Sequence, residues 1–186
     1  MPGRVEIINI ALARLGESPI QSLEEGSAPA NAAKLLYDSE RRATLREYPW
    51  SFALKQATLA RSSQSEADFR YAYALPADCL RAVRVRGSGG SAPCFSVRGD
   101  KLYSDESSVT LEYVADTDDG NLFDSKFTEA FSYRLASALA MPVKSSPELM
   151  GSFMNLYKEL ISDAAVQSAR EERVQLSDNP YLEARA

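Results

Sequence analysis

The hydrophobic periodicity of this chain changes twice, and those changes restrict its fold more than any other feature. Near the start, Val5, Ile8, Leu12 and Leu15 recur at helical spacing, and Gly16 stands at a C′-like stop. A loop punctuated by Pro, Ser and Gly follows. Ser27 is placed to cap a second helix, with Pro29 in its first turn. That helix runs through NAAKLLYDSERRATLRE and should end near Tyr48, because Pro49 disfavours helical geometry in the residue before it.

The period then falls to two. Phe69, Tyr71 and Tyr73 share one face; Leu80, Val83 and Val85 alternate with Arg81, Arg84 and Arg86; Val109, Leu111 and Tyr113 alternate with Thr110, Glu112 and Val114. Gly87–Pro93 reads as a flexible turn and Gly99-Asp100 as a hairpin dipeptide. About four or five antiparallel strands are expected between residues 58 and 116.

Helical spacing returns with Phe123, Phe127, Phe131, Leu135 and Leu139, where Ala130 and Ala138 leave room for a neighbouring helix. Pro142 is expected to end this helix. Ser146-Pro147 opens another, carried by Leu149, Phe153, Leu156, Leu160 and Ala164 to about Arg170. The expected fold is α+β and mainly helical. Residues 1–57 and 120–170 form a four-helix bundle, 58–119 a small inserted antiparallel β region, and 171–186 an extended C-terminal tail.

Several kinds of chemistry are disfavoured. The 186 residues include no histidine, so Ser-His-Asp and Cys-His sites are excluded, and no motif supports a Ser-Lys site. The chain reads as a non-enzyme without a cofactor. Asp116, Asp118 and Asp119 precede Gly120, but an EF-hand register would put Ala115, Thr117 and Lys126 at ligand positions. Capping of the next helix by Asn121, with Asp124 three residues on, accounts for the segment better than a metal does. Arg98–Asp100 spells RGD, which a tight turn explains. Cys79 and Cys94 read as free thiols. No apolar run is long enough to span a membrane, and the N-terminus reads as an amphipathic helix rather than a signal peptide.

A formal charge of −5 disfavours general nucleic-acid binding. A module using Arg81, Arg84 and Arg86 on a strand face nonetheless remains the alternative function, and the same arginines suit subunit contacts. The one Trp, Trp50, lies between Pro49 and Phe52, where large apolar groups would pin helix to strands. In the tail, Leu176, Asn179, Pro180, Tyr181 and Leu182 put apolar anchors on a polar segment, as a docking arm does.

These residues also form a pattern. Leu15-Gly16, Ile20, Leu45-Arg46, Trp50, Phe52-Ala53 and Ala57-Leu59 are followed by Tyr73, Leu75-Pro76 and Asp78–Arg81, and then by GDKLYSD and VTLEYVADTDDGNLFDSKFTEAF. The pattern resembles the head-to-tail adaptor of short-tailed bacteriophages, the tail tubular protein A family, over about residues 5 to 170. The resemblance implies a structural protein of the virion, assembled in the cytoplasm of a bacterial host. Copies would form a dodecameric ring between the portal protein and the tail nozzle protein, with genomic DNA passing through the lumen. It also implies that the arm lies along the portal.

Overall fold

A computed structural model describes residues 3–62, 68–88 and 92–176, with the side chains of 165–176 left aside. The helices are α1 (Arg4–Arg14), α2 (Ala28–Glu47), α3 (Ser125–Lys144) and α4 (Pro147–Leu176). The strands are β1 (Leu54–Thr58), β2 (Arg61–Ser62), β3 (Tyr71–Ala74), β4 (Cys79–Gly87), β5 (Phe95–Arg98), β6 (Lys101–Ser104) and β7 (Val109–Ala115). No described helix is long and apolar enough to cross a membrane.

This overturns the four-helix bundle with a small β insertion. The fold is α+β, and among the described residues it has four helices and two antiparallel sheets, ordered β1-β7-β4 and β2-β3-β6-β5. The described residues divide into two compact units, one within 41–123 and one of 3–40 with 124–176. The boundary falls inside α2, so this helix does not belong wholly to a bundle. The strands are no appendage either, because they enclose their own apolar core of Leu59, Tyr73, Val85, Leu102, Val109, Leu111, Tyr113 and Ala115.

In the helical unit α1 and α4 each pack on α3. Ile7, Ile8, Ala11 and Leu12 of α1 are buried, as are Phe127, Phe131, Leu135 and Leu139 of α3. Tyr37 meets Phe131 edge to face, with centroids 5.1 Å apart. The loop after α1 is held by Asn9, whose Nδ2 donates to Ile20 O at 3.0 Å while its Oδ1 accepts from Ile20 N at 2.9 Å. Arg134 Nε donates to Glu40 at 2.7 Å and its guanidinium lies over Tyr157, which tethers α3 to α2 just before Arg41 and to α4.

The helix ends follow local chemistry. Gly16, at φ +68°, takes the left-handed geometry expected after α1. Ser27 and Ser146 cap α2 and α4, accepting from Ala30 N at 3.3 Å and Leu149 N at 3.2 Å. Three boundaries differ from expectation. Asp124, not Asn121, caps α3, accepting from Phe127 N at 2.6 Å, while Asn121 turns back to Asp119. Pro142 lies inside the last turn of α3, and the helix ends at Ser145 in the left-handed region. Helix α4 continues to Leu176, so residues 171–176 are helical rather than extended tail.

In β4 two register irregularities, between Cys79 and Arg81 and between Ala82 and Arg84, break the simple alternation. Cys79, Ala82 and Val85 are the β4 residues packed with the core, in place of the expected Leu80, Val83 and Val85. Replacing Asp124 by Ala should lower stability by about 1 kcal/mol through loss of the α3 cap. Urea unfolding followed by circular dichroism measures this, and an unchanged midpoint would remove Asp124 from that role.

Candidate functional site

The polar and aromatic residues singled out in the sequence concentrate in the unit of residues 41–123, where the last two turns of α2 meet the three-stranded sheet. Helix α2 turns a charged residue inward there. Arg41 is buried, and its Nη1 donates to Asp116 Oδ1 at 2.6 Å and to the carbonyl of Thr117, just beyond β7. Arg42 Nε holds the other carboxylate oxygen of Asp116 at 2.8 Å. One carboxylate thus sits between two guanidiniums. Asp119 accepts from Asn121, and no cluster of metal-ligating side chains occurs among the described residues.

One turn on, Arg46 Nη1 donates to Leu80 O at 2.7 Å, and Arg81 Nη1 donates to Glu47 O at 3.1 Å. Trp50 is buried, and its Nε1–H donates to Thr44 O at 3.1 Å. The indole is edge-on to Tyr48 at 4.8 Å and stacked with Phe52 at 6.4 Å, and Phe52 reaches Phe123 at 5.5 Å. Pro49 is half-buried at the end of the helix. The contacts of Trp50 and Phe52 thus run from the end of α2 through the short 3₁₀ turn Ser51–Ala53 to Phe123.

A second polar cluster lies where β1, β7 and the approach to β4 meet. Asp78 accepts from Lys55 Nζ at 2.8 Å and from Tyr113 Oη at 3.0 Å, and its carbonyl accepts from Asp116 N at 2.7 Å. The Lys55 hydrogen bond holds the Asp78 carboxyl below its ordinary range. Burial first, then Asp78, pushes the Tyr113 phenol up to about 12. Burial also raises the half-buried Cys79 thiol. Both cysteines are free.

The three arginines of β4 do not behave alike. Arg81 is half-buried and engaged with α2, whereas Arg84 and Arg86 are exposed, opposite Glu112 and Thr110 in the β4–β7 register. Arg98, Gly99 and Asp100 form the β5–β6 turn, with Gly99 at φ +61° and Arg98 paired to Asp68 at 3.2 Å. Leu176 ends α4; Asn179, Pro180, Tyr181 and Leu182 lie outside the described residues.

No family model matches the chain, and no curated protein matches its sequence.

Sequence reasoning missed Arg41 and Lys55, and it named Asp78 and Tyr113 only in other roles, in the family pattern and on a strand face. Arg41 had a readable signal, since it lies four residues after the buried Tyr37 and four before the buried Leu45, on the apolar face of α2. The Asp78 cluster had none, because register alone brings β1 and β7 together.

Two outcomes test this site. Trp50→Ala should cost about 3 to 5 kcal/mol, and Trp50→Phe about 1 kcal/mol through the lost hydrogen bond, both by urea unfolding. An unchanged midpoint in Trp50→Phe would mean that the indole N–H contributes nothing, and equal losses in the two variants would mean that burial of the ring contributes nothing beyond it. The pH profile supplies the other outcome. Asp78 is lowered on folding, so its contribution is present above its ordinary value of 3.8 and fades as pH falls below it. Tyr113 is raised from 10.0, so its contribution is present below pH 10 and is lost as pH rises towards about 12. Tyr113→Phe should flatten the alkaline fall of the urea midpoint; a profile with the wild-type slope would refute this.

Proposed function

We propose that this chain is a structural head-to-tail connector of a short-tailed phage or prophage, acting as a ring between portal and tail nozzle. The observation that carries the reading is convergence. Two of the stretches quoted for the family resemblance, Leu45–Ala53 and Tyr73–Arg81, lie some twenty residues apart in sequence, yet they interlock. Arg46 is bonded to Leu80 O, Arg81 to Glu47 O, and Asp78 to Lys55 just beyond the first stretch. Contacts of this kind maintain a scaffold, and a scaffold is what a connector supplies.

In this reading identical subunits close head to tail into a ring, dodecameric by resemblance, and genomic DNA passes through its lumen. A net charge of −5 suits that passage, because a basic wall would hold DNA through counterion release. The portal-docking arm, expected over residues 171–186, is narrowed to 177–186 because α4 runs to Leu176, and Asn179, Pro180, Tyr181 and Leu182 are the anchors that remain in it. Many such arms on one ring would act together. The virion would be its site of action, after assembly in the host cytoplasm.

Binding to the portal protein encoded by the same genome is the deciding experiment, comparing the full chain with one ending at Leu176 and imaging any complex. A ring seated under the portal, weakened by the truncation, is the expected result. A ring that binds equally well without residues 177–186 removes the arm from the proposal. No binding by either chain removes the connector role.

A further inference from the structure

The grip on Asp116 has a counterpart one turn along α2. Arg46 follows Arg42 by four residues, and Arg81 comes to the same place from β4. Each donates to the carbonyl of the residue beside the other, at Leu80 O and Glu47 O, so the two guanidiniums are held as neighbours. Their proximity is felt electrostatically: burial first, then the Arg46 charge, pulls Arg81 below its ordinary value. Among the described residues no carboxylate reaches either group, whereas Arg4, Arg41, Arg42, Arg98 and Arg134 each hold one.

We propose that Arg46 and Arg81 together form a binding seat for a carboxylate side chain of a partner protein. A guanidinium has five N–H donors, and each of these two spends one on a carbonyl. Two neighbouring guanidiniums match the two oxygens of one carboxylate, and the chain already builds that arrangement at Asp116, with contacts of 2.6 and 2.8 Å. Capping of α2 by Arg81 explains one bond at the helix end, where carbonyls attract cations, but it leaves Arg46 unexplained.

The neighbourhood favours a single carboxylate over a nucleic-acid backbone. Along the sheet Arg84 stands opposite Glu112, so the basic surface is interrupted by an acid within one step. A polyphosphate track would meet that acid; one carboxylate at Arg46 and Arg81 would not. The seat stands independently of the connector reading.

The test titrates a labelled hexaglutamate peptide into the full chain at low and at physiological salt. Wild type is compared with Arg46→Gln, Arg81→Gln and Arg84→Gln, and a short DNA duplex is run in parallel. Arg46→Gln keeps the Arg81 bond to Glu47 O and changes an exposed side chain, so it decides the matter if Arg81→Gln fails to fold. Binding should weaken about tenfold in Arg46→Gln and stay within about twofold in Arg84→Gln. Absence of hexaglutamate binding, or equal binding by wild type and Arg46→Gln, would overturn the seat. Duplex binding that Arg84→Gln weakens as much as Arg46→Gln would replace it with a nucleic-acid surface.

Discussion

A buried arginine fixes the sheet-bearing unit. Arg41 lies on the inward face of α2, where an aliphatic residue would suffice for burial, and its charge has to be satisfied there. A buried guanidinium left alone costs several kcal/mol, so the fold must bring a carboxylate and a carbonyl to it. Asp116 and Thr117, just past the end of β7, supply them. Because β7 is the central strand between β1 and β4, fixing its end relative to α2 also positions both neighbours. An apolar contact would tolerate a slide along the helix; paired oxygens around one guanidinium do not. The interactions further along α2 repeat the constraint, through Arg42 on Asp116, Arg46 on Leu80 O and the indole of Trp50 on Thr44 O.

The long elements were legible in the sequence because periodicity and capping speak for them. The apolar stripes of α1 and α3, the serines before α2 and α4, and the hairpin at Gly99 all appear where spacing puts them. The overall architecture was not legible, and two residues show why. Arg41 looks like a surface charge on a bundle helix, yet it marks where α2 passes from the helical unit to the sheet-bearing one. Strand β1 reads LKQAT, and its core-side positions pair Lys55 with Tyr113 and Ala57 with Leu111. A lysine that reaches Asp78 occupies a place where alternation would demand an apolar residue, so the strand is silent in a hydrophobicity pattern.

The irregular register of β4 shows the limit from another side. Strict alternation counted back from Val85 would aim Arg81 and Val83 at the core. The irregularities shift the inward set to Cys79, Ala82 and Val85. Local patterning cannot announce such shifts, since an extra residue becomes visible only against the partner strand. Burial of Trp50 was readable, because a lone large aromatic after proline is unusual on a surface. The mutual grip of Arg46 and Arg81 required three-dimensional pairing.

The protonation behaviour of the joint follows from the same packing. Around Asp78 the carboxyl is held low by Lys55, while the Tyr113 phenol and the Cys79 thiol are raised, chiefly by burial. Free aspartate and tyrosine already hold one state each at neutral pH; these displacements move their titrations further from it. The hydrogen bond from the Tyr113 phenol to the Asp78 carboxylate therefore keeps its donor and its acceptor over a wider span of pH than free groups would allow, and with it the register of β7 against the approach to β4.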